Sequence, residues 1–318
     1  MEKDNNKLNI LLNDAVIKHT KGDLKEAEKK YMDILSYAKD NAIVLYLLGT
    51  LKAQQNKNDE AINLIKNSIK LDSSNADAHY NLGNIFQNKK QIDLAKNSYI
   101  EALKIKPDYL KAHYNLGQIL LDQKKYQESI QSYNKVLKIK PNHSDTFNNL
   151  GTLYVRIKDY KKSEKNFKKA ISINPNSPEY LYNYATLLQE KGNYKSAAST
   201  YNKVIKIKPF YPKAHNNLGY VYKKLNKFVD AKKSYETSIS QDPNYSLAYN
   251  NYGNILDLMC EHEKAIEAYE TSIRLNPNKL STRWALMNTF PVIYKDKNEI
   301  KIYKKKFSKN TKIIKDFL

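Results

Sequence analysis

The chain is poor in several residue types that build specific kinds of site. Its single cysteine, Cys260, excludes an intrachain disulfide and a cysteine-rich zinc site. Only three of the 54 basic residues are arginines, so the forked donor used for bidentate phosphate or base recognition is nearly missing. Sequence-specific nucleic-acid binding is therefore disfavoured. The net charge of +21 still allows a weak, salt-sensitive attraction to polyanions.

Long apolar runs are also missing. Residues 1–7 form a short polar lead-in, and the amino terminus has no apolar stretch long enough for secretion or for spanning a membrane. We therefore expect a cytoplasmic protein with no membrane span.

Proline and glycine are scarce, but their positions are regular. Six prolines follow one another at intervals of 34 residues without insertion or deletion: Pro107, Pro141, Pro175, Pro209, Pro243 and Pro277. If these prolines are position 32, the chain divides into eight units: 8–41, 42–75, 76–109, 110–143, 144–177, 178–211, 212–245 and 246–279. The division also predicts a separate helical segment at 280–318.

Other landmarks recur within this period. Position 8 is glycine in six units, position 20 is alanine or serine, and position 24 is usually a large aromatic residue such as Tyr133 or Phe167. Apolar residues recur at helical spacing in both halves of each unit. Each unit is therefore predicted to be two amphipathic helices that approach closely at the small residues.

This pattern resembles the tetratricopeptide repeat family over residues 8–279, and a 34-residue helix-turn-helix period is typical of that family. The resemblance implies an all-α, right-handed superhelical solenoid. Because one helical pair cannot bury its apolar face alone, the units must stack.

The same 34-residue pattern argues against a catalytic, cofactor or metal site. All eight glycines are used by it, six at position 8 and Gly22 and Gly192 at position 15, so no glycine is left for a phosphate loop. Three histidines repeat at position 4 and would lie about one repeat apart rather than converge. Cys260 and His262 could form a nucleophile and base, but no third group accompanies them in the sequence. We expect no catalytic activity from these residues and no cofactor.

One polar column stands out on the first helices. Position 6 is asparagine in six consecutive units, position 9 adds polar neighbours, and position 5 adds tyrosines. The predicted peptide-binding residues are Asn81, Asn84, Asn115, Gln118, Asn149, Asn183, Asn217, Asn251, Asn254, Tyr80, Tyr114 and Tyr182. Amides can pair with the N–H and C=O groups of an extended peptide whatever its side chains are. The alternative is that asparagine is simply common at this position, with these side chains outside the core contacts.

The pattern changes after residue 279. A ninth unit would have Met287 at position 8 and Pro291 inside its first helix. The segment resembles the one that joins the repeat arm to the catalytic half in Spindly-type and O-linked N-acetylglucosamine transferases. The residues that carry this resemblance are Phe290, Pro291, Val292, Ile293, Tyr294, Glu299, Ile300, Lys306 and Phe307.

Three functions follow from these patterns. The first is a scaffold that binds partner proteins or unstructured peptides on the concave face of the solenoid. The alternative is the substrate-recognition arm of a protein O-glycosyltransferase, partnered by a catalytic domain that is missing or separate. The third is a non-specific polyanion binder, for which nucleic acid is a weak candidate.

Overall fold

The computed structural model describes residues 2–289 and, further along, residues 297, 298, 300–302, 304, 305, 307 and 308. Every regular element in this described part is an α-helix, as predicted. The chain divides into two compact units, Met1–Thr146 and Phe147–Leu318, which we call the N-terminal unit and the C-terminal unit. No helix in the described ranges is long and apolar enough to cross a membrane.

The helices alternate between a first and a second helix of each repeat. In the N-terminal unit they are α1 (Glu2–Thr20), α2 (Leu24–Tyr37), α3 (Ala42–Gln54), α4 (Asn58–Leu71), α5 (Ala76–Asn88), α6 (Ile92–Ile105), α7 (Leu110–Asp122) and α8 (Tyr126–Ile139). Helix α9 (Ser144–Arg156) crosses the boundary between the units. The C-terminal unit continues with α10 (Tyr160–Ile173), α11 (Pro178–Glu190), α12 (Tyr194–Ile207), α13 (Pro212–Lys224), α14 (Phe228–Gln241), α15 (Ser246–Leu258), α16 (His262–Leu275) and α17 (Leu280–Asn288).

Within each unit, the described helices pack against their neighbours in chain order, and some consecutive first helices touch directly. Such direct contacts join α3 to α5, α11 to α13, and α13 to α15. Under the proposed division into eight repeats, each repeat holds one helical pair. The side chains of successive first helices therefore lie next to one another.

The helix boundaries have local causes. Asn75 caps α5 by accepting a hydrogen bond from the backbone N–H of Ala78 at 3.0 Å, and Pro178 occupies the first turn of α11, where its missing N–H costs nothing. Two residues after the end of each first helix of the eight repeats, position 15 has left-handed backbone geometry. The residues at this position are Gly22, Asn56, Lys90, Lys124, Lys158, Gly192, Asn226 and Cys260.

The core of each pair is built on contact between position 8 and position 24. A Cβ atom added to Gly117 would lie 2.7 Å from the ring of Tyr133, and one added to Gly83 would lie 2.6 Å from the ring of Tyr99. Both tyrosines are completely buried. In these two pairs the helices can approach this closely only because the first helix has no side chain at the point of contact.

Helix α17 follows the eight predicted repeats. It begins at Leu280 and packs against α16, and the separate helical segment at 280–318 stays a prediction. Met287, in place of the small residue, is buried. Phe290, Pro291, Val292, Ile293, Tyr294, Glu299 and Lys306, most of the joining segment, lie outside the described residues.

We predict that Gly117→Ala destabilises the protein by about 2 kcal/mol, because the new methyl group overlaps the Tyr133 ring. The measurement is the free energy of unfolding in urea. The double variant Gly117→Ala with Tyr133→Leu replaces the ring by a smaller side chain. Its loss of unfolding free energy should be smaller than the sum of the losses in the two single variants. Strict additivity would show that the close contact does not limit the packing.

We also predict that Lys124→Gly stabilises the protein by about 0.5 to 1 kcal/mol, because Lys124 has a φ of 60° that a side chain disfavours. The control is Lys135→Gly in the interior of α8, which should lose about 1 kcal/mol. The readout is the thermal midpoint by circular dichroism. A lower midpoint for Lys124→Gly would contradict this explanation.

Candidate functional site

The predicted peptide-binding residues all lie on first helices and are half-buried. Positions 6 and 9 are three residues apart, so they share one helix face. In α5 these are Asn81 and Asn84, in α7 Asn115 and Gln118, and in α15 Asn251 and Asn254. Asn149, Asn183 and Asn217 occupy position 6 of α9, α11 and α13.

The position 6 amides bind the preceding repeat. In the N-terminal unit, the Nδ2 group of Asn81 donates to the Tyr46 hydroxyl at 2.8 Å, and that of Asn115 donates to the Tyr80 hydroxyl at 3.3 Å. The acceptor is position 5 of the repeat before. Asn149 and Gln118 also take part in polar interactions.

The C-terminal unit repeats the arrangement, with either a tyrosine or an asparagine as the acceptor. Asn217 donates to the Tyr182 hydroxyl at 3.0 Å. Asn183 donates to Asn148 Oδ1 at 3.0 Å, and Asn251 donates to Asn216 Oδ1 at 2.9 Å. Because tyrosine and asparagine both supply an oxygen at position 5, the bond survives the change of residue. Asn148 and Asn216 were not predicted. The alternative that the column lies outside packing contacts does not hold for its amide nitrogens, which join successive repeats.

Side chains at position 9 form hydrogen bonds with the core tyrosines. The Tyr99 hydroxyl has two acceptors within hydrogen-bond distance, Asn84 Oδ1 at 2.7 Å and Gln87 Oε1 at 2.8 Å. The Tyr269 hydroxyl donates to Asn254 Oδ1 at 3.0 Å. These rings are buried, so their hydroxyl groups need a partner. The polar strip on the first helices supplies it.

The tyrosines at position 5 are packed by their own repeats. Tyr80 contacts the rings of Tyr99 and Tyr109, with centroids 5.7 and 5.0 Å away. Tyr114 packs on His143, and Tyr182 stacks on Tyr211 with centroids 5.1 Å apart. Their rings are therefore held rigidly at the edge of the strip.

The strip is electrically neutral at physiological pH. Burial raises the pKa of Tyr46 and that of Tyr99 to about 12, and burial also raises the pKa of Tyr182. The phenol groups stay protonated and can both donate and accept hydrogen bonds. The chemistry of this face is hydrogen bonding rather than proton transfer.

A groove opens on this face in the N-terminal unit. It has a volume of about 280 Å³ and lies between α3 and α5, with one contribution from α4. Its lining residues are Thr50, Ala53, Gln54, Ile65, Asn81, Asn84, Ile85 and Asn88. Only Asn81 and Asn84 were predicted. Gln54 and Asn88 stand at position 13, one helical turn beyond position 9, and that spacing was the signal that could have identified them.

Two of the three repeated histidines have a structural role. His113 binds the carbonyl oxygen of Pro107 at 2.8 Å, and His215 binds that of Pro209 at 3.1 Å. Arg283 donates to Pro277 in the same way at 3.0 Å. Within the described residues, no group of three metal-binding side chains is present.

The Cys260 turn has one partner that the sequence analysis did not identify. Nδ1 of His262 lies 2.8 Å from a carboxylate oxygen of Asp257. Cys260 itself is exposed on its left-handed turn. The carboxylate stabilises the start of α16, and the structure gives no contact between the thiol and the imidazole.

Family models match this architecture along most of the chain. Those described as tetratricopeptide repeat match residues 76–109, 108–176, 166–198, 212–245 and 246–279, and one described as TPR repeat matches 51–90 and 185–226. The matches leave no gap between residues 51 and 279. The chain belongs to the tetratricopeptide repeat family. A search of curated proteins gives no match.

Solved structures of tetratricopeptide repeat proteins share the fold. One from Parabacteroides merdae is 20% identical, with 77% of this chain and 97% of that chain covered and a TM-score of 0.63. The C-terminal part of one from Cytophaga hutchinsonii is 18% identical, with 76% and 98% covered and a TM-score of 0.62. The Cut9–Hcn1 hetero-tetramer of APC/C is 14% identical, with 88% and 55% covered and a TM-score of 0.61. These similarities establish the fold alone.

We predict that Asn217→Ala destabilises this tetratricopeptide repeat protein by about 1 to 2 kcal/mol, because the hydroxyls of Tyr182 and Tyr201 both lose their amide donor. The control is Lys213→Ala, an exposed change in the same helix that should be nearly neutral. Hydrogen exchange of α11 and α13 measures the effect locally. Equal protection in the two variants would show that the amide does not hold the repeats together.

Proposed function

We propose that the protein is an interaction scaffold that binds an extended peptide in the groove between α3 and α5. Tetratricopeptide repeat proteins generally mediate protein–protein interaction. The groove is the observation that supports this location most strongly, since it has amide and hydroxyl groups on its walls and the apolar residues Ile65 and Ile85 beneath them. That mixture suits a peptide backbone with small apolar side chains.

The fixed amides support binding of a backbone rather than of particular side chains. Asn81 uses its Nδ2 group to bind Tyr46, which fixes the plane of the amide. Its Oδ1 atom then has a set direction in which to accept a peptide N–H. Each such bond contributes only about 0.5 to 1.5 kcal/mol, so several are needed for useful affinity.

The spacing of the first helices suits an extended ligand. Packed helices lie roughly 8 to 10 Å apart, and an extended chain advances about 3.3 Å per residue. A peptide that crosses successive first helices would thus meet one asparagine at about every third residue. We propose that Asn183, Asn217 and Asn251 offer a similar track in the C-terminal unit, and that the preferred ligands are unstructured segments.

The alternative, a substrate-recognition arm of a protein O-glycosyltransferase, depends on the resemblance of the segment after residue 289. Most of its residues lie outside the described part of the chain, and the described contacts favour neither a catalytic partner nor its absence. This alternative stays a hypothesis from sequence. It would use the same peptide groove, so the test below applies to both.

We predict that Asn88→Trp blocks the groove and weakens peptide binding by roughly tenfold or more. Asn88 is exposed at the end of α5, so the larger ring can fill the groove without entering the core. Unstructured peptides selected on an array with the wild-type chain serve as probes, and fluorescence anisotropy measures the affinity.

The matched control is Val229→Trp on α14, a second helix that carries none of the asparagines of the two proposed tracks. Val229 is also exposed, so the substitution is comparable. Both variants should keep the wild-type thermal midpoint. Equal weakening by the two variants, or none by Asn88→Trp, would place the peptide elsewhere.

A further inference from the structure

A second groove lies in the C-terminal unit, on a second helix rather than a first. Its volume is about 480 Å³. The residues around it are Tyr160, Lys161, Glu164, Lys165 and Lys168 of α10, and Lys191, the C-cap residue of α11. The three α10 lysines that border the groove are spaced at i, i+4 and i+7, so they share one face of the helix. This groove is separate in place and in chemistry from the neutral amide strip.

The positive charge is concentrated at this helix. Helix α10 contains five lysines and one glutamate, and α12 contains three lysines and no acidic residue. In contrast, α16 contains three glutamates and two basic residues. The net charge of the chain is therefore not spread evenly over its second helices.

One carboxylate already occupies part of the groove. Glu164 binds Lys168 at 2.7 Å and also pairs with Lys191, and these two ammonium groups lower the pKa of Glu164 to about 2. Among the described residues, no carboxylate lies within 4.0 Å of the ammonium group of Lys161 or Lys165. Two exposed cations therefore border a groove in which a carboxylate is already held between lysines.

We infer that this groove docks an acidic, unstructured protein segment whose Asp and Glu side chains pair with Lys161 and Lys165. Glu164 demonstrates the geometry, since a carboxylate sits between two lysines there. A flexible peptide can space its carboxylates around Glu164, whereas the closely spaced phosphates of a nucleic acid would be repelled by it.

Two further observations favour a protein ligand. The groove has no arginine, the residue whose fork matches phosphate best. Phe167 and Ala170 of α10 are buried, and Tyr160 is the one aromatic residue that lines the groove, so little apolar surface lies beside its lysines for insertion into a membrane. Charge complementarity with an acidic segment is the interaction that these residues can provide.

The test uses the full chain and a fluorescein-labelled peptide of alternating Glu and Ser residues. We expect Lys161→Gln with Lys165→Gln to weaken binding by roughly three- to tenfold, the range for two exposed ion pairs. Glu164→Gln, which removes the charge of the groove's own carboxylate, should tighten binding. Thermal melting confirms that each variant is folded.

The matched control is Lys25→Gln with Lys29→Gln. These exposed lysines of α2 have the same spacing and the same repeat positions, 18 and 22, as Lys161 and Lys165. The two double variants also have equal net charge. Equal weakening by both would overturn the proposal, since it would reduce the effect to overall charge.

Two more arms identify the class of partner. A single-stranded oligonucleotide and phosphatidylserine vesicles are titrated against the same variants. If either one binds more tightly than the acidic peptide, and this binding is lost in the Lys161→Gln with Lys165→Gln variant, the assignment to an acidic protein segment is overturned. Asn88→Trp should bind the acidic peptide like the wild type, so failure of the α3–α5 groove and failure of this groove are distinguishable.

Discussion

In five of the eight repeats, the contact between a glycine on the first helix and an aromatic ring on the second limits how closely the two helices can approach. The Tyr99 ring lies so close to Gly83 that a single added carbon would overlap it, and Tyr133 and Gly117 repeat this relation. The ring thereby limits the approach of the two helices in these pairs. Burial of that ring also supplies the apolar area that one helix could not bury alone.

The choice of tyrosine at this contact has a second consequence. Its ring is buried, but its hydroxyl group emerges on the first-helix face, where it requires polar partners. Asn84 and Gln87 accept from Tyr99, and Asn115 of the next repeat donates to the same hydroxyl at 3.3 Å. Part of the polar strip is therefore required by the core beneath it. At Phe167 the ring has no hydroxyl, and the following asparagine, Asn183, binds Asn148 instead.

Much of this fold could be predicted from the sequence because the same residue types recur at the same positions of the 34-residue period. The glycine, the small residue at position 20 and the aromatic ring identify the helical pairs without any structure. Left-handed geometry at position 15 was harder to predict, since six of its eight residues are not glycine. Lys90 and Lys124 take this geometry because the turn requires it, and their side chains give no signal of it.

The candidate site was less predictable, for a chemical reason. An amide such as that of Asn217 can bind a ligand or a neighbouring repeat, and the sequence does not record the rotation of a side chain or the distance to the next helix. The groove residue Thr50 depends on the same information, because it lies near Asn81 only when α3 and α5 lie side by side.

A role in packing and a role in binding are compatible at the asparagine column. The Nδ2 group of Asn81 is held by Tyr46 of the preceding repeat, and Tyr46 is itself half-buried. That bond removes the rotational freedom that a ligand would otherwise have to restrict, so the entropy cost of ordering the amide is met during folding. The two atoms of the amide face different partners, and the bond that joins the repeats is the one that fixes the direction of the remaining acceptor. A column that holds the repeats together is thus compatible with the proposed binding of an extended peptide, because Asn81 keeps its Oδ1 atom in a fixed direction.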